Sequence, residues 1–343
     1  MTRVWARWVP AVVAAVVIAG GTVAATAAPD VDLPDKSPRE VLALVAGHSL
    51  DGFSGTVEKT TDLGLPELPP GADKFGTDDI GSALDFLTGS HTARIFVDGH
   101  DKARVQVLDQ LAERDVVVNG QDVWLYDSSK ATAVHLTVPE KDATGDHAGD
   151  YSPADLADKL LDHVTLSTEV TVGEDTSVAG RDAYQLVLTP RTSETLVEQI
   201  SIAVDAETGL PLAVTVEADG QDDPAIEVAF TSLTIGAPPA DTFAFTPPEG
   251  TDVTEHALPE KSGPPAEHPM PQVSGSDWTT VLEFPAGTAP AELTNSPVWA
   301  ELTSPVAEGQ LLSTSLLNVL VTHDGRVFVG AVPAEVLQAA AAG

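Results

Sequence analysis

Residues 197–218 read VEQISIAVDAETGLPLAVTVEA. Ile200, Ile202 and Val204 alternate with smaller or polar neighbours, and Leu212, Val214 and Val216 do the same. A period of two places each set on one face of an extended strand. Between them Asp205 to Gly209 forms a hairpin loop ending on the residue best suited to positive φ. The segment predicts two antiparallel strands with one half-buried face. The device recurs outward in both directions. Thr132, Val134, Leu136 and Val138 alternate with Ala131, Ala133, His135 and Thr137, and Val164, Leu166, Val170 and Val172 share a face. Asp98-Gly99 and Asn119-Gly120 supply tight turns. Ile226, Val228 and Phe230 use even positions, whereas Leu233 and Ile235 use odd ones. That change of parity predicts a β-bulge near Thr231 and Ser232, which bends a sheet. From Phe53 to Phe245 the chain therefore reads as a curved antiparallel sheet with a helix set against its concave face.

Two helices carry clear start signals. In Ser37-Pro38-Arg39-Glu40 the serine caps, the proline occupies the first helical position and the glutamate closes a capping box. Val41, Leu44 and Val45 follow at helical spacing. Ser152-Pro153-Ala154-Asp155 repeats the signal, with Leu156, Leu160 and His163 on one stripe and Leu161 beside it. Asp62 to Asp78, with Pro66, Pro69 and Pro70, reads as a long loop leading to a short helix at Ile80 to Leu87. Glu140 to Asp150 is a polar connection.

The ends of the chain are different in kind. Residues 1–28 have Arg3 and Arg7, an apolar run from Val9 to Val23, and Ala25-Thr26-Ala27 as a small-residue cleavage site. They predict a cleaved secretory signal, since the run is shorter than the roughly 20 residues of a membrane-spanning helix. An uncleaved signal would instead anchor the chain to the membrane. The expected organisation is a signal at 1–28, a half-barrel domain at 29–250, a linker rich in Pro, Glu and His at 251–276, and a small α+β domain at 277–343. In the last of these, Thr279 to Phe284 is a strand, Leu316 to Val321 and Val327 to Val332 form a hairpin, and Pro333 to Ala342 is a closing helix. The fold class is α+β, mainly antiparallel β.

The 343 residues include 17 basic and 52 acidic side chains, a net charge of −35. Losing Arg3 and Arg7 makes the body two units more negative still. So acidic a surface repels nucleic acid and anionic lipid, and nucleic acid is not an expected partner. The acids are spread along the chain, as a solvated surface requires. No cysteine is present, which excludes disulfides, thiol catalysis and cysteine-bound zinc.

Catalytic signatures are missing. The nine histidines include no HExxH and no pair four residues apart. Asp142, Asp146 and Asp150 lack the order and distal glutamate of a calcium loop, and Ser177, Ser193 and Ser201 lack a nucleophile-elbow context. We expect no catalytic residue, no metal ligand set, no cofactor and no enzymatic activity.

Several segments together resemble a known family. They are Phe53-Ser54-Gly55-Thr56-Val57 after a helix, the hairpin around Asn119-Gly120, and Val178-Ala179-Gly180-Arg181-Asp182-Ala183-Tyr184 leading a strand. Asp205 to Pro211 (DAETGLP) and Phe243 to Gly250 (FAFTPPEG) complete the set. In this order they resemble the LolA-like superfamily of lipoprotein carriers. The Phe-Ser-Gly-Thr form and the added C-terminal domain are similar to the MucB/RseB branch, of actinobacterial type. The resemblance implies an unclosed β-barrel with a helical lid. It implies an extracytoplasmic protein whose guests are acyl chains of lipids or lipoproteins. The alternative it implies is an envelope sensor that binds a membrane partner, and either role would bring a membrane protein, a transporter or an anti-sigma factor. One departure stands out: where such carriers latch the lid with an arginine on an early strand, this chain has Glu58 and Lys59.

Burial of a methylene is worth about 0.8 kcal/mol, so one enclosed sixteen-carbon chain gains on the order of 10 kcal/mol without any catalytic group. Val41, Leu44, Val45, Leu156, Leu160 and Leu161 are the candidate lid, and Trp124, Tyr126, Tyr184 and Phe230 the candidate sheet lining. A Val- and Leu-rich interior suits a cavity and an ordinary packed core equally well. Only the resemblance favours the cavity.

Overall fold

The computed structural model describes residues 31–48, 50–65, 89–108, 112–138, 153–257 and 271–343. The signal at 1–28, the helix at 80–87, the connection at 140–150 and the Ser152 cap lie outside the described residues.

Helix α1 (Pro38–Gly47) begins as its sequence dictates. The Glu40 N–H donates to Ser37 Oγ at 3.4 Å, and the Ser37 N–H donates to Glu40 Oε2 at 2.8 Å, which closes the capping box. Strands β1 (Gly52–Thr61), β2 (His91–Asp98), β3 (Lys102–Leu108), β4 (Glu113–Asn119), β5 (Asp122–Asp127) and β6 (Thr132–Thr137) form a meander. Helix α2 (Pro153–Val164) follows. Then come β7 (Thr168–Val172), β8 (Thr176–Val178), β9 (Arg181–Pro190), β10 (Val197–Asp205), β11 (Pro211–Ala218), β12 (Ile226–Ile235) and β13 (Asp252–Ala257). All thirteen strands belong to one sheet, in the order β13-β6-β5-β4-β3-β2-β1-β12-β11-β10-β9-β7, with β8 also on β9. The ladders are antiparallel except β13 on β6. Among the described residues no ladder joins the two outer edges. Yet β8 touches β12 across three intervening strands. A flat sheet would hold those two roughly 19 Å apart at the usual strand spacing of about 4.8 Å, so the sheet is strongly curled. The architecture is an unclosed β-barrel.

The bulge expected near Thr231 and Ser232 is present. Thr56 pairs Ser232 and Val57 pairs Phe230, which leaves Thr231 as the extra residue. The hairpin at 205–209 turns on Gly209, with φ +74°.

A second, six-stranded sheet runs β14 (Gln272–Ser274), β15 (Val281–Phe284), β19 (Val327–Gly330), β18 (Asn318–Thr322), β17 (Gly309–Ser313) and β16 (Thr303–Pro305) in spatial order. Helices α3 (Ala291–Thr294) and α4 (Pro297–Leu302) lie between β15 and β16 in the chain. Helix α5 (Ala334–Ala342) seals a core with Phe328, Leu320 and Leu337.

Three expectations need correction. Residues 252–257 and 272–274, expected inside a linker, are strands β13 and β14. Both are edge strands held by backbone pairing, and most of their side chains are exposed, so no apolar period marks them. Val164 and Leu166, expected in a strand with Val170 and Val172, end α2 and follow it, and Leu166 is 84% exposed. The apolar stripe of α2 continues to Val164 at helical spacing, and that period prevails over the shorter alternation.

Candidate functional site

Register defines two faces. Leu186 pairs Ile202, Ile202 pairs Val214, Val214 pairs Val228, and Val228 pairs Lys59, so one row crosses from β9 to β1 on one face. Val57, Ala93 and Val107 continue that face into β3. Both helices sit on it. Val41, Leu42 and Val45 of α1 and Ala157 of α2 are buried with Tyr184, Leu186 and Val204. Further along lies a second cluster built on Phe53, Val57, Ile95, Val107, Val228 and Phe230, where the Phe53 and Phe230 rings meet edge-on at 6.1 Å.

Of the candidate lid, Val41 and Val45 pack on the sheet, Leu44 and Leu161 are partly buried there, and Leu160 is 43% exposed. The Leu156 side chain lies outside the described residues. Val41, Leu44, Val45 and Leu161 pack together against the sheet beneath α1. Tyr184 lies under the helices, its hydroxyl donating to the Pro34 carbonyl at 3.2 Å and its ring 5.5 Å from Lys36 Nζ. Burial pushes that hydroxyl's pKa up. Phe230 lines the same face in the second cluster.

Trp124 and Tyr126 are elsewhere. Trp124 pairs Val117, which pairs Arg104, on the face opposite Ile95 and Val105. The segment 240–245 covers them, with Phe245 at 5.4 Å from Trp124 and 5.5 Å from Tyr126. His135 stacks on Trp124 at 4.2 Å, and Phe243 is buried. Beneath this strap Arg104 forks onto Asp115 and donates to the Thr242 carbonyl at 3.0 Å. The structure thus brings Tyr184 to the helices, Phe230 to the neighbouring cluster, and Trp124 with Tyr126 to neither.

A cleft of about 350 Å³ opens at the end of α1, lined by Ala43, Leu44, Gly47, His48, Leu50, Glu207 and Thr208. Leu44 packs on the helix-covered cluster and Leu50 on the second one, so the cleft lies where the two meet. Its far wall is the β10–β11 turn. A Cβ on Gly209 would lie inside van der Waals contact of the Leu44 carbonyl oxygen, so glycine is what lets the turn reach the helix end. Arg181 fixes that wall. It donates to Asp205 at 2.7 Å and 2.9 Å and to Glu207 at 2.9 Å, and Thr208 N–H donates to Asp205 at 2.7 Å. These bonds raise the Arg181 pKa above its ordinary value. The sequence did not single out Leu42, Ala157, Leu186, Val204, Glu207 or Thr208 for the site. Leu186 and Val204 follow from the parity of Tyr184 and Ile202. The cleft's far wall leaves no local signal, because it stands some 160 residues from α1.

The family model described as "Outer membrane lipoprotein carrier protein LolA" matches residues 102–246. No curated protein matches the chain. Among solved structures, the MucA/MucB complex of Pseudomonas aeruginosa aligns at 17% identity over 89% of this chain and 96% of that one, with a TM-score of 0.46. An uncharacterized conserved protein from Thermus thermophilus aligns at 11% identity over 64% and 98%, with a TM-score of 0.36. A LolA superfamily protein from Nitrosomonas europaea aligns at 11% over 62% and 99%, with a TM-score of 0.26.

Proposed function

We propose, for a chain whose residues 102–246 match the LolA family model, a role as an extracytoplasmic binder of acyl chains from lipids or lipoproteins, with α1 and α2 as its movable cover. The observation that carries this is how the cover is seated. Among the described residues no backbone hydrogen bond ties α1 to the sheet, and its hold is the side-chain packing of Val41, Leu42 and Val45. The two helices are joined to each other by the exposed Arg39–Asp158 ion pair. Such a cover lifts as a unit and breaks no ladder.

Magnitudes support the exchange. Exposing three Val or Leu side chains costs about 5–9 kcal/mol at roughly 1.5–3 kcal/mol each. An enclosed sixteen-carbon chain regains on the order of 10 kcal/mol by taking their place. The closed state is then the guest-free one. Among the described residues no helix is long and apolar enough to cross a membrane. Export would rest on the segment at 1–28.

The test uses the chain from Pro29 onward, exported and purified from an envelope fraction. Mass spectrometry is expected to find co-purified acyl lipid, and the delipidated chain to take up a fluorescent fatty acid. Neither lipid nor uptake would overturn the proposal. Recovery of a membrane protein without any acyl chain would put the sensor role in its place.

A further inference from the structure

We infer that the cleft at the end of α1 is a receptor for a primary ammonium group of the ethanolamine-headgroup kind. The inference deepens the acyl-binding proposal and relies on it only for where the tails go. It follows from an inventory of donors and acceptors. His48 Nδ1 lies 2.7 Å from the Val45 carbonyl oxygen, and a carbonyl only accepts. Nδ1 therefore donates to that carbonyl. The Thr208 hydroxyl already donates to Asp205 Oδ2 and accepts from the Leu210 N–H at 3.3 Å. Glu207, with its side chain 82% exposed, gives one oxygen to Arg181 and offers the other. Ala43, Leu44, Gly47 and Leu50 contribute no side-chain donor. Among the described lining side chains, Glu207 and Thr208 present acceptors without an uncommitted proton.

Charge points the same way. The carbonyl end of a helix carries roughly half a negative charge, and the last turn of α1 has no basic residue to offset it. Glu207 adds to that field. A phosphoglycerol headgroup brings a net negative charge and is disfavoured. A choline headgroup brings a cation without an N–H to donate. An ethanolamine headgroup brings both the charge and three donors. Size agrees: 350 Å³ is room for about a dozen water-sized groups at roughly 30 Å³ each. That is a headgroup with its glycerol, too little for two acyl tails, which would run from Leu44 and Leu50 towards the two clusters.

The experiment reads the headgroup without tails. The mature chain is titrated with glycerophosphoethanolamine, glycerophosphocholine and glycerophosphoglycerol, and amide shifts of Gly47, His48 and Thr208 are followed by NMR. Saturable shifts are expected with the ethanolamine compound, at an affinity roughly tenfold above that for the glycerol compound, as one charge-assisted hydrogen bond supplies. Glu207→Gln is expected to erase most of that difference. No saturable shift with any of the three, equal affinity for all, or a preference unchanged in Glu207→Gln would overturn the inference. The fatty-acid assay above reads the tails alone, so either idea can fail while the other stands.

Discussion

Two buried aspartates, each gripped by one arginine, respond to acid in opposite senses. Burial works to raise the Asp205 carboxyl, but Arg181 and Thr208 outweigh it and hold the group below its ordinary value of 3.8. The unfolded chain then takes up the proton first, so the stability Asp205 provides is full above pH 3.8 and is lost as pH falls through the lower folded value. For Asp115, burial raises the carboxyl by more than Arg104 lowers it. The folded chain takes up that proton first, so its contribution declines as pH climbs from 3.8 through the raised value. Denaturant unfolding across a pH series checks both. Asp205→Asn is expected to flatten the acid limb below pH 3.8, and Asp115→Asn to remove a decline above it. Both variants lose stability overall, by about 3–5 kcal/mol, because an arginine is left without its buried partner. Curves parallel to the parent in both variants would contradict the assignment. Gly209 is the other residue on which the site turns. Gly209→Ala forces a side chain to φ +74° and against Leu44, with an expected cost of about 1–3 kcal/mol. Hydrogen exchange should quicken in the last turn of α1 and stay unchanged in β2 and β3.

At the scale of elements, what the sequence revealed followed how each element is held. α1 was legible because its start is local: serine, proline and glutamate within four residues make the cap. Ser37→Ala is expected to cost about 1 kcal/mol and to raise exchange through the first turn of α1 while the sheet keeps its protection. Unchanged exchange there would mean that packing alone holds the helix. The strands from β9 to β12 were legible because one face is apolar and the other mixed, and even the bulge at Thr231 showed as a change of parity. β5 was legible as a strand but not in its orientation. Val123 and Leu125 are apolar, and so are Trp124 and Tyr126 that alternate with them, so alternation gives no polar side to point outward. That is why Trp124 and Tyr126 read as lining under the helices when they lie beneath the strap at 240–245. β13 was not legible because its hold is backbone pairing with β6. Half of the cleft escaped for a different reason: proximity of α1 to the 205–209 turn is made by the curl of the whole sheet.

At the scale of the molecule, the two sheets are not beads on a string. Val197 and Ala218 of the large sheet, with Ala225 just before β12, are buried in one cluster with Leu316 of the loop between β17 and β18, and Trp278 and Ala331 pack against it. The Leu196 N–H and Thr195 Oγ1 both donate to the Ala331 carbonyl, at 2.9 Å each, and the Ser315 N–H donates to the Leu63 carbonyl at 2.9 Å. Trp278 Nε1 donates to Thr168 Oγ1 at 2.8 Å, four residues past the end of α2. A chain ending at Ala257 would open Val197, Ala218 and Ala225 to water and leave Thr168 without its donor. At about 1.5–3 kcal/mol for a valine side chain and roughly 1 kcal/mol for each of the four lost hydrogen bonds, the shortened chain should be less stable by on the order of 6–7 kcal/mol. The full chain should melt in one calorimetric transition, since the cluster of Val197, Ala218, Ala225 and Leu316 is shared by the two sheets. Exchange should also rise at Thr168 and in the last turn of α2, because the donor that steadies the root of that helix belongs to the small sheet. Two separate transitions, with the larger unchanged in the shortened chain, would show instead that the junction is a contact without thermodynamic weight and that the cover helices answer to the large sheet alone.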